Sequence, residues 1–294
     1  MKIALLTYST KPRGGVVHTL ALAEALAARG HDVTVWTLGR GGDAVFFRPV
    51  HPAVSVRVVP FAAEPDETVG DRIKRSISTL RAAFTEDYDV VHAQDCISAN
   101  AVPWCIRTIH HLDHFTTPAL ADCHEKALVN PVARICVSAA VAAEVESGWG
   151  YTPAVIPNGV HAERYMEAAG GSAAAVAGRR FWQDRLGRYV LAVGGIEPRK
   201  GSIDLLEAFA GVLGAVPDAR LPVLHEVLRG AAQYADGTVA ITEAIVAALA
   251  GRAPAPEAGV ALAQGYRWDA VAARHEDFYR QVLVAGLAAR ADAG

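Results

Sequence analysis

The sequence predicts an α/β protein whose parallel sheet is covered by helices on both faces. In the first half of the chain, short apolar runs alternate with segments of helical spacing. The apolar runs are nearly continuous, which is typical of strands buried on both faces of a sheet. Since crossovers between parallel strands are right-handed, these repeated units predict a doubly wound domain of roughly 150–170 residues.

The predicted elements of this domain follow one another in a regular order. The predicted strands are short and apolar, and they cover residues 2–8, 32–38, 55–60, 88–93, 105–109 and 134–137, while residues 154–156 precede a predicted turn at 157–159. The predicted helices cover residues 16–29, 72–84 and 139–147. Gly30 is a stop signal for the first of these helices, and Ser138 can cap the last.

The second half begins like the first and then departs from its pattern. It predicts a Gly/Ala/Ser-rich linker at 168–178, a strand at 188–193, a loop at 194–201 and a helix at 202–216. Later segments predict helices at 221–228, 239–250 and 268–288 and a short strand near 233–234. A parallel sheet needs several buried strands, but the second half predicts only two. We therefore expect a first domain over 1–165 and a shortened second domain over 166–294.

Composition narrows the classes of function. The 294 residues are 52% hydrophobic and 20% charged, which excludes a disordered chain. The formal net charge of -3 offers no basic surface, so no nucleic-acid partner is expected. The N-terminus is not that of a signal peptide, and no run reaches the roughly 18 apolar residues of a membrane span, which predicts a cytoplasmic protein. Four cysteines without a CxxC pair predict buried, reduced thiols.

Two glycine-containing loops stand between a predicted strand and a predicted helix. Gly14 and Gly15 precede the first helix, where backbone N–H groups and the helix dipole favour a phosphate. In the second half, the loop Gly194–Gly201 contains Gly195 and the basic pair Arg199 and Lys200. Neither loop matches the GxGxxG or P-loop pattern, so a plain turn and an exposed basic loop are the alternatives. The functional hypothesis is that the two loops face each other and bind one pyrophosphate.

Histidines follow the strand at 105–109. The segment from His110 to His124 contains four potential metal ligands within five residues, and this suggests a metal-dependent hydrolase as one hypothesis. The hydrolase pattern HxHxDH is not met, however, so no metal is expected. We instead expect one histidine to face the cleft at the carboxyl edge of the sheet and to bind a hydroxyl or phosphate, unless both only satisfy backbone groups. Asp95 ends another strand and is expected either to accept a sugar hydroxyl or to cap a helix.

Taken together, these segments resemble the GT-B glycosyltransferases of family four, which use a sugar nucleotide as donor. The resemblance rests on IALLTYSTKPRGGVVHTLALAEALAARGHDVTVWT, YDVVHAQD, RTIHHLD, ICVSAAVA and VIPNGVHAERY, in the order and spacing of the family. It continues in VLAVGGIEPRKGSIDLLEAFA and in the terminal YRWDAVAARHEDFYRQVL. It implies a GT-B-like fold of two Rossmann-like domains, the first complete and the second truncated, with the last helix (268–288) crossing back to the first domain.

The resemblance also implies roles for individual residues. Gly14 and Gly15 would lie over the donor diphosphate and the acceptor, and His110 would line the donor sugar and act at the reacting centre. Arg199 and Lys200 would hold the diphosphate and stabilise it as the leaving group. The remaining implied site residues are two further phosphate-binding glycines and three substrate-binding candidates, namely Gly194, Gly195, His18, Asp95 and Asn158.

The implied reaction is transfer with retention to an unknown acceptor, which would be a small molecule, a glycan or a lipid. No cofactor is expected beyond the nucleotide-diphosphate sugar, which is a co-substrate; peripheral membrane contact and a homodimer are further expectations. The chain lacks the family's paired-glutamate segment. Arg220 is followed directly by Leu221, although the segments to which these two residues correspond lie far apart in the family. The alternative hypothesis is therefore a catalytically impaired remnant that binds a nucleotide sugar or a partner protein.

Overall fold

A computed structural model describes residues 1–102, 104–112, 115, 117–187, 189–190, 202–216, 237–252 and 256–291. The chain divides into two compact units, one formed by Met1–Val160 with Tyr266–Gly294 and the other by His161–Gly265. No helix in the described part of the chain has the length and apolar character needed to cross a membrane.

The first unit is built on a seven-stranded sheet in which every strand pair is parallel. The strands are β1 (Lys2–Leu6), β2 (Asp32–Arg40), β3 (Val54–Phe61), β4 (Val90–Ala93), β5 (Ile106–Ile109), β6 (Ala133–Cys136) and β7 (Ala154–Val155). Their order in the sheet is β3-β2-β1-β4-β5-β6-β7. The chain thus runs to one edge, returns to the middle and then runs to the other edge, so the strand order reverses between β1 and β4.

Helices cover both faces of this sheet. Those of the first unit are α1 (Gly14–Ala28), α2 (Val69–Ala83), α3 (Cys96–Ala101), α4 (Pro118–Val129) and α5 (Ala139–Trp149). The second unit, described by itself, contains α6 (Ala162–Ala169), α7 (Ala173–Leu186), α8 (Ser202–Ala215), α9 (Gly237–Leu249) and α10 (Pro256–Gln264). The chain then returns to the first unit with α11 (Trp268–Ala291).

The central strand β1 shows how the core is divided. Ile3 and Leu5 point into an apolar cluster with α1 and α11, whereas Ala4 and Leu6 point into a second cluster with α2, α3 and α4. Because side chains alternate along a strand, both faces of β1 are buried, and this explains its continuous apolar sequence. Tyr279 of α11 is fully buried in the first cluster, so the last helix is part of the core of the first unit.

The predicted parallel sheet is confirmed, because β1 to β6 lie at or within two residues of their predicted bounds, and β7 is a seventh strand in the segment that precedes the predicted turn. The prediction of a linker at 168–178 is wrong, because α6 and α7 occupy most of that segment. Alanine is the best helix former, and Ser172 supplies the N-cap of α7 by accepting a hydrogen bond from the Ala175 N–H at 3.2 Å. The strand predicted at 188–193, the helix at 221–228 and the strand near 233–234 lie wholly or mostly outside the described residues.

Within the second unit, α8 and α9 pack closely. Thr242 donates from its hydroxyl to the carbonyl of Ala208 at 2.9 Å. A Cβ atom added at Gly211 would lie 2.9 Å from the Thr242 side chain, so glycine is what permits this approach.

Candidate functional site

The N-terminus of α1 lies at the point where the strand order reverses. The residue before the helix, Arg13, gives it no side-chain cap among the residues that the structure describes, and its first turn contains no acidic residue. The first hydrogen bond of the helix runs from the Val17 N–H to the Arg13 carbonyl at 2.9 Å. The N–H groups of Gly14, Gly15 and Val16 come before it and therefore have no partner within the helix. This end of α1 is suited to an anion.

Neither glycine at this helix end is required by the fold. A Cβ atom at Gly14 would meet nothing within 4 Å, and one at Gly15 would lie 3.7 Å from His110 Nε2, which is ordinary contact. Both residues are helical and have no positive φ angle. Four other helices, α2, α3, α5 and α7, are capped by the side chains of Thr68, Asp95, Ser138 and Ser172, whereas, among the described contacts, α4 and α6 also begin without a side-chain cap. The glycine pair therefore leaves space in front of uncapped N–H groups.

His110 and Gln94 complete this corner. They follow β5 and β4 directly, and His110 Nε2 lies 3.2 Å from Gln94 Oε1. A Cβ atom at Gly15 would be 3.9 Å from the Gln94 carbonyl oxygen. Since the carboxyl ends of parallel strands share one edge, the loop after β1, Gln94 and His110 surround the crevice where open α/β sheets bind ligands.

The His110 ring is held neutral at physiological pH. Burial lowers its pKa well below the usual value, and the neighbouring His18 ring lowers it further. Because an amide oxygen only accepts hydrogen bonds, we assign the proton to Nε2, which then donates to Gln94 Oε1. The Nδ1 atom is left as a hydrogen-bond acceptor.

A buried histidine cluster lies behind His110. His92 Nδ1 is 2.7 Å from the Tyr279 hydroxyl of α11, and His92 Nε2 is 2.7 Å from the Thr108 hydroxyl of β5. The Gln94 side-chain nitrogen is 3.2 Å from His92 Nε2. A polar chain thus runs from His110 through Gln94 and His92 to the last helix, and it fixes the orientation of the His110 ring.

His18 and His275 contribute ring packing to the cluster. His18 packs edge-on against His110 and against Trp268, with ring centroids 5.0 and 5.4 Å apart, and its centroid lies 6.1 Å from that of His275. Burial lowers the pKa of His18 to about 3 and that of His275 to about 4, so both are neutral. The Asn158 side chain offsets a small part of the lowering at His18. Within the described part of the chain, however, neither His18 nitrogen has a hydrogen bond of proper geometry.

Asp95 takes the alternative role that the sequence left open, that of a helix cap. Its Oδ1 accepts from the Ser98 N–H at 2.8 Å at the start of α3. Its Oδ2 accepts from the Ser98 hydroxyl at 2.9 Å and from the Tyr8 N–H at 2.8 Å. Burial raises the pKa of this carboxyl, and these donors act against the rise. With both oxygens bonded inside the protein, Asp95 is committed to holding the β1 loop and α3 together.

The remaining predicted residues are distributed as follows. The candidates of the second half all lie outside the described residues, namely Gly194, Gly195, Arg199 and Lys200. Asp113 and His114 of the proposed metal cluster also lie outside them. Within the described ranges, no three His, Cys, Asp or Glu side chains are grouped so that they could hold a metal ion, which leaves the hydrolase hypothesis without a ligand set there.

Four contributors to the site were not predicted, namely Gln94, His92, His275 and Tyr279. A signal for two of them exists in the sequence, because residues 268, 272, 275 and 279 recur at helical spacing on one face of α11. Only the packing of α11 on α1 places its polar members beneath β4.

A separate cavity of about 830 Å³ lies between α4 and α5. Its lining includes Arg107, His111, His124, Glu125 and Trp149. The Trp149 indole N–H donates to Glu125 Oε1 at 3.0 Å, and Phe115 stacks on His124 with ring centroids 4.0 Å apart. His110 does not line this cavity, so the cavity is distinct from the corner at α1.

The fold is similar to that of several solved GT-B glycosyltransferases. The chain is 16% identical to sucrose-phosphate synthase from Thermosynechococcus elongatus, with a TM-score of 0.66 over 97% of this chain and 100% of that one. A glycosyltransferase from Rickettsia africae gives a TM-score of 0.63 at 11% identity, over 96% and 99% of the two chains. Anabaena HepE in complex with UDP-glucose gives 0.54 at 13% identity, over 98% and 100%.

The sequence defines the family more closely than the fold does. The family model for Glycosyltransferase Family 4 matches residues 12–164, more than half of the chain, so the protein belongs to that family. No curated protein matches the sequence.

Proposed function

We propose that the protein transfers a sugar from a nucleotide-diphosphate sugar to an acceptor hydroxyl with retention of anomeric configuration. The observation that supports this most directly is the corner formed by Gly14, Gly15 and His110. There, uncapped helix N–H groups lie beside a neutral imidazole at the carboxyl edge of the sheet. An anion and a sugar hydroxyl are the two groups that such a corner can bind side by side.

In the proposed reaction, the diphosphate of the donor binds at the N-terminus of α1. The Gly14 and Gly15 N–H groups donate to phosphate oxygens, and the absence of side chains allows close approach. His110 Nδ1 accepts a hydrogen bond from a hydroxyl of the donor sugar and so positions the reacting carbon. As the bond to the sugar breaks, negative charge grows on the diphosphate, and Arg199 and Lys200 are proposed to neutralise it.

The test is release of nucleoside diphosphate from a panel of nucleotide sugars with glycan, lipid and small-molecule acceptors. We expect His110→Ala to lower kcat/KM by roughly 10- to 100-fold, the effect of one lost hydrogen bond in a buried site. His111→Ala, which changes the adjacent exposed histidine, is the matched control and should leave the rate nearly unchanged. The anomer of the product, read by NMR, tests retention.

The basic pair is tested separately. Changing Arg199 and Lys200 to alanine together should lower kcat by roughly 100-fold or more, because both donors act on developing charge. The control is the double change of Arg179 and Arg180, which are exposed on α7. Failure of every nucleotide sugar to bind would contradict the proposal.

Binding without turnover would instead favour the alternative of an impaired remnant, which the missing paired-glutamate segment suggests. A cytoplasmic location, a homodimer and contact with a membrane surface stay predictions from the sequence.

A further inference from the structure

Two arginines meet at one aromatic ring beside the start of α1. Arg13 immediately precedes Gly14, and Arg40 is the last residue of β2. The guanidinium carbon of Arg13 lies 5.8 Å from the centroid of the Tyr8 ring, and that of Arg40 lies 4.8 Å from the same centroid. Both distances are within the range of a cation–π contact. Tyr8, which follows β1, therefore brings two positive charges together at the carboxyl edge of the sheet.

A third arginine joins them through α2. Arg40 Nη2 donates to the Ser76 hydroxyl at 2.8 Å. Arg72 lies four residues before Ser76 in α2, and residues at that spacing are neighbours on one face of a helix. Arg13 and Arg72 are exposed, whereas Arg40 is partly buried. These three arginines, which we call the arginine patch, can therefore be reached by a ligand in solution.

Neighbouring carboxylates are occupied elsewhere. Asp43 pairs with Lys11 at 2.8 Å, and Glu67 pairs with Arg75 at 2.6 Å. Both oxygens of the Asp95 carboxylate are hydrogen bonded at the start of α3 and in the β1 loop. None of the ion pairs that the described residues form includes a member of the arginine patch. The patch is thus a local excess of positive charge on a chain whose net charge is -3.

The cost of this arrangement is visible at Arg40. Burial lowers its pKa, and the charges of Arg72 and Arg13 lower it further. The Asp95 carboxylate acts in the opposite direction without pairing with it. The Arg40 Nε atom is buried, and it has no hydrogen-bond partner among the described residues. A bound anion would offset the repulsion and would supply acceptors for guanidinium groups that are only partly paired.

The arginine patch and the proposed donor corner lie on opposite sides of β1. Arg40 ends β2, which is next to β1, and His110 follows β5, which is two strands away on the other side. Neighbouring strands are about 4.8 Å apart, so the two strand ends are separated by about 14 Å. This distance leaves room for a sugar-sized molecule between them, beside the N-terminus of α1.

We propose that the arginine patch binds a phosphate monoester that the acceptor carries. The proposal rests on the proposed function, because it takes the donor to lie at the corner formed by Gly14, Gly15 and His110. At pH 7 a phosphate monoester has nearly two negative charges and three acceptor oxygens, so it can bind two or more guanidinium groups at once. A carboxylate has one charge and two oxygens and matches the patch less well. A soluble sugar phosphate and a lipid headgroup both carry the required group.

The experiment is calorimetric titration of the full chain, without donor, with glucose 6-phosphate, glucose and glucuronic acid. We expect glucose 6-phosphate to bind at least roughly 10-fold more tightly than the other two, because it makes more charged hydrogen bonds. Co-sedimentation with phosphatidylcholine vesicles, with and without phosphatidic acid, tests the lipid source. Binding of the sugar phosphate alone indicates a soluble acceptor, and binding to phosphatidic acid alone indicates a lipid acceptor. Binding of both indicates that the patch recognises the phosphate group itself.

Variants locate the bound phosphate. Arg13→Gln changes an exposed side chain and Arg40→Gln a partly buried one, and each should weaken binding of the phosphate probe by roughly 10-fold or more. Arg57→Gln is the matched control, because it removes the same charge from an exposed arginine of β3 that pairs with Glu86. This control should bind like the wild type. Urea unfolding of each variant shows that it is folded.

Titration of a nucleotide sugar separates this proposal from the proposed function. Gly15→Ala should weaken binding of the nucleotide sugar and leave the phosphate probe unaffected, and Arg40→Gln should do the reverse. If the phosphate probe binds and no nucleotide sugar does, the proposed function fails while the phosphate site stands. The proposal is wrong if neither phosphate-bearing probe binds, or if glucuronic acid binds as tightly as glucose 6-phosphate. It is also wrong if Arg13→Gln and Arg40→Gln bind the probe as tightly as Arg57→Gln.

Discussion

The substitution Gly15→Ala separates what the fold needs from what a ligand needs. The added methyl group would lie 3.7 Å from His110 Nε2 and 3.9 Å from the Gln94 carbonyl oxygen, so no atom of the protein has to move. Because Gly15 is the second residue of α1, alanine there gains helix propensity. We expect the free energy of unfolding to be unchanged or higher by up to about 1 kcal/mol.

Binding of a donor should respond in the opposite direction. The methyl group occupies the space in front of the helix N–H groups, where a phosphate oxygen is proposed to lie. Loss of one hydrogen bond to a charged group costs about 1.5–3 kcal/mol. At about 1.4 kcal/mol for each factor of ten, affinity should fall by roughly 10- to 100-fold.

The assay is calorimetric titration of the nucleotide sugar, paired with urea unfolding of the same preparations. Gly178→Ala is the matched control. Like Gly15, Gly178 lies in a helix, in this case α7, and a Cβ atom there would meet nothing within 4 Å. The control should gain stability and keep full affinity. If Gly15→Ala binds the donor as tightly as the wild type, the diphosphate does not lie at this helix end and the proposed geometry is wrong.

Three further predictions concern the support behind the site. Tyr279→Phe removes the hydroxyl that contacts His92 and should cost about 1–3 kcal/mol in urea unfolding, and an unchanged midpoint would contradict this. At Gly159, a Cβ would lie 2.3 Å from the Trp268 ring. Gly159→Ala should therefore lower the free energy of unfolding by about 1–3 kcal/mol and shift the tryptophan fluorescence. An unshifted spectrum would contradict the contact. Since the folded pKa of His275 is about 4, below its unfolded value of 6.5, the unfolded state binds the proton first and stability is lost as pH falls from 6.5 towards 4. From pH 7.5 to 5 the loss is about 2 kcal/mol from this residue, and His275→Gln should remove that share; equal pH slopes would contradict it.

The sheet was predictable because its signal is local. The central strands β1, β2, β4 and β5 are runs of four to nine residues that are buried on both faces, and such runs are easy to recognise. The short helix α3 and the helix α4 were missed. Residues 96–101 form too few turns to show a period, and residues 118–129 follow a histidine-rich segment that was interpreted as a site. Helix length and neighbouring composition, rather than propensity, limited the prediction.

The corner at α1 was only half predictable. Gly14, Gly15 and His110 each follow or adjoin a strand, so the rule for carboxyl edges brings them together from sequence alone. The partner of His110 was not found, because Asp95 was the more conspicuous residue at the end of β4. The amide of Gln94 takes that position, and the carboxylate of Asp95 turns towards the N–H groups of α3 instead.

The last helix has a part in the site that its position in the sequence conceals. Tyr279 is 187 residues from His92, yet the two are joined by a hydrogen bond of 2.7 Å beneath the crevice. His275 and Trp268 of the same helix pack on His18, which in turn packs on His110. Part of the packing and hydrogen bonding behind the His110 ring therefore depends on α11, in addition to the contacts that Gln94, His92 and Thr108 make among themselves. It follows that residues 12–164, which the family model matches, contain the candidate corner but not all of the residues that support it. Since a rigid first contact shell is what gives a binding group its precision, loss of α11 should impair the corner even where no ligand-facing residue is changed.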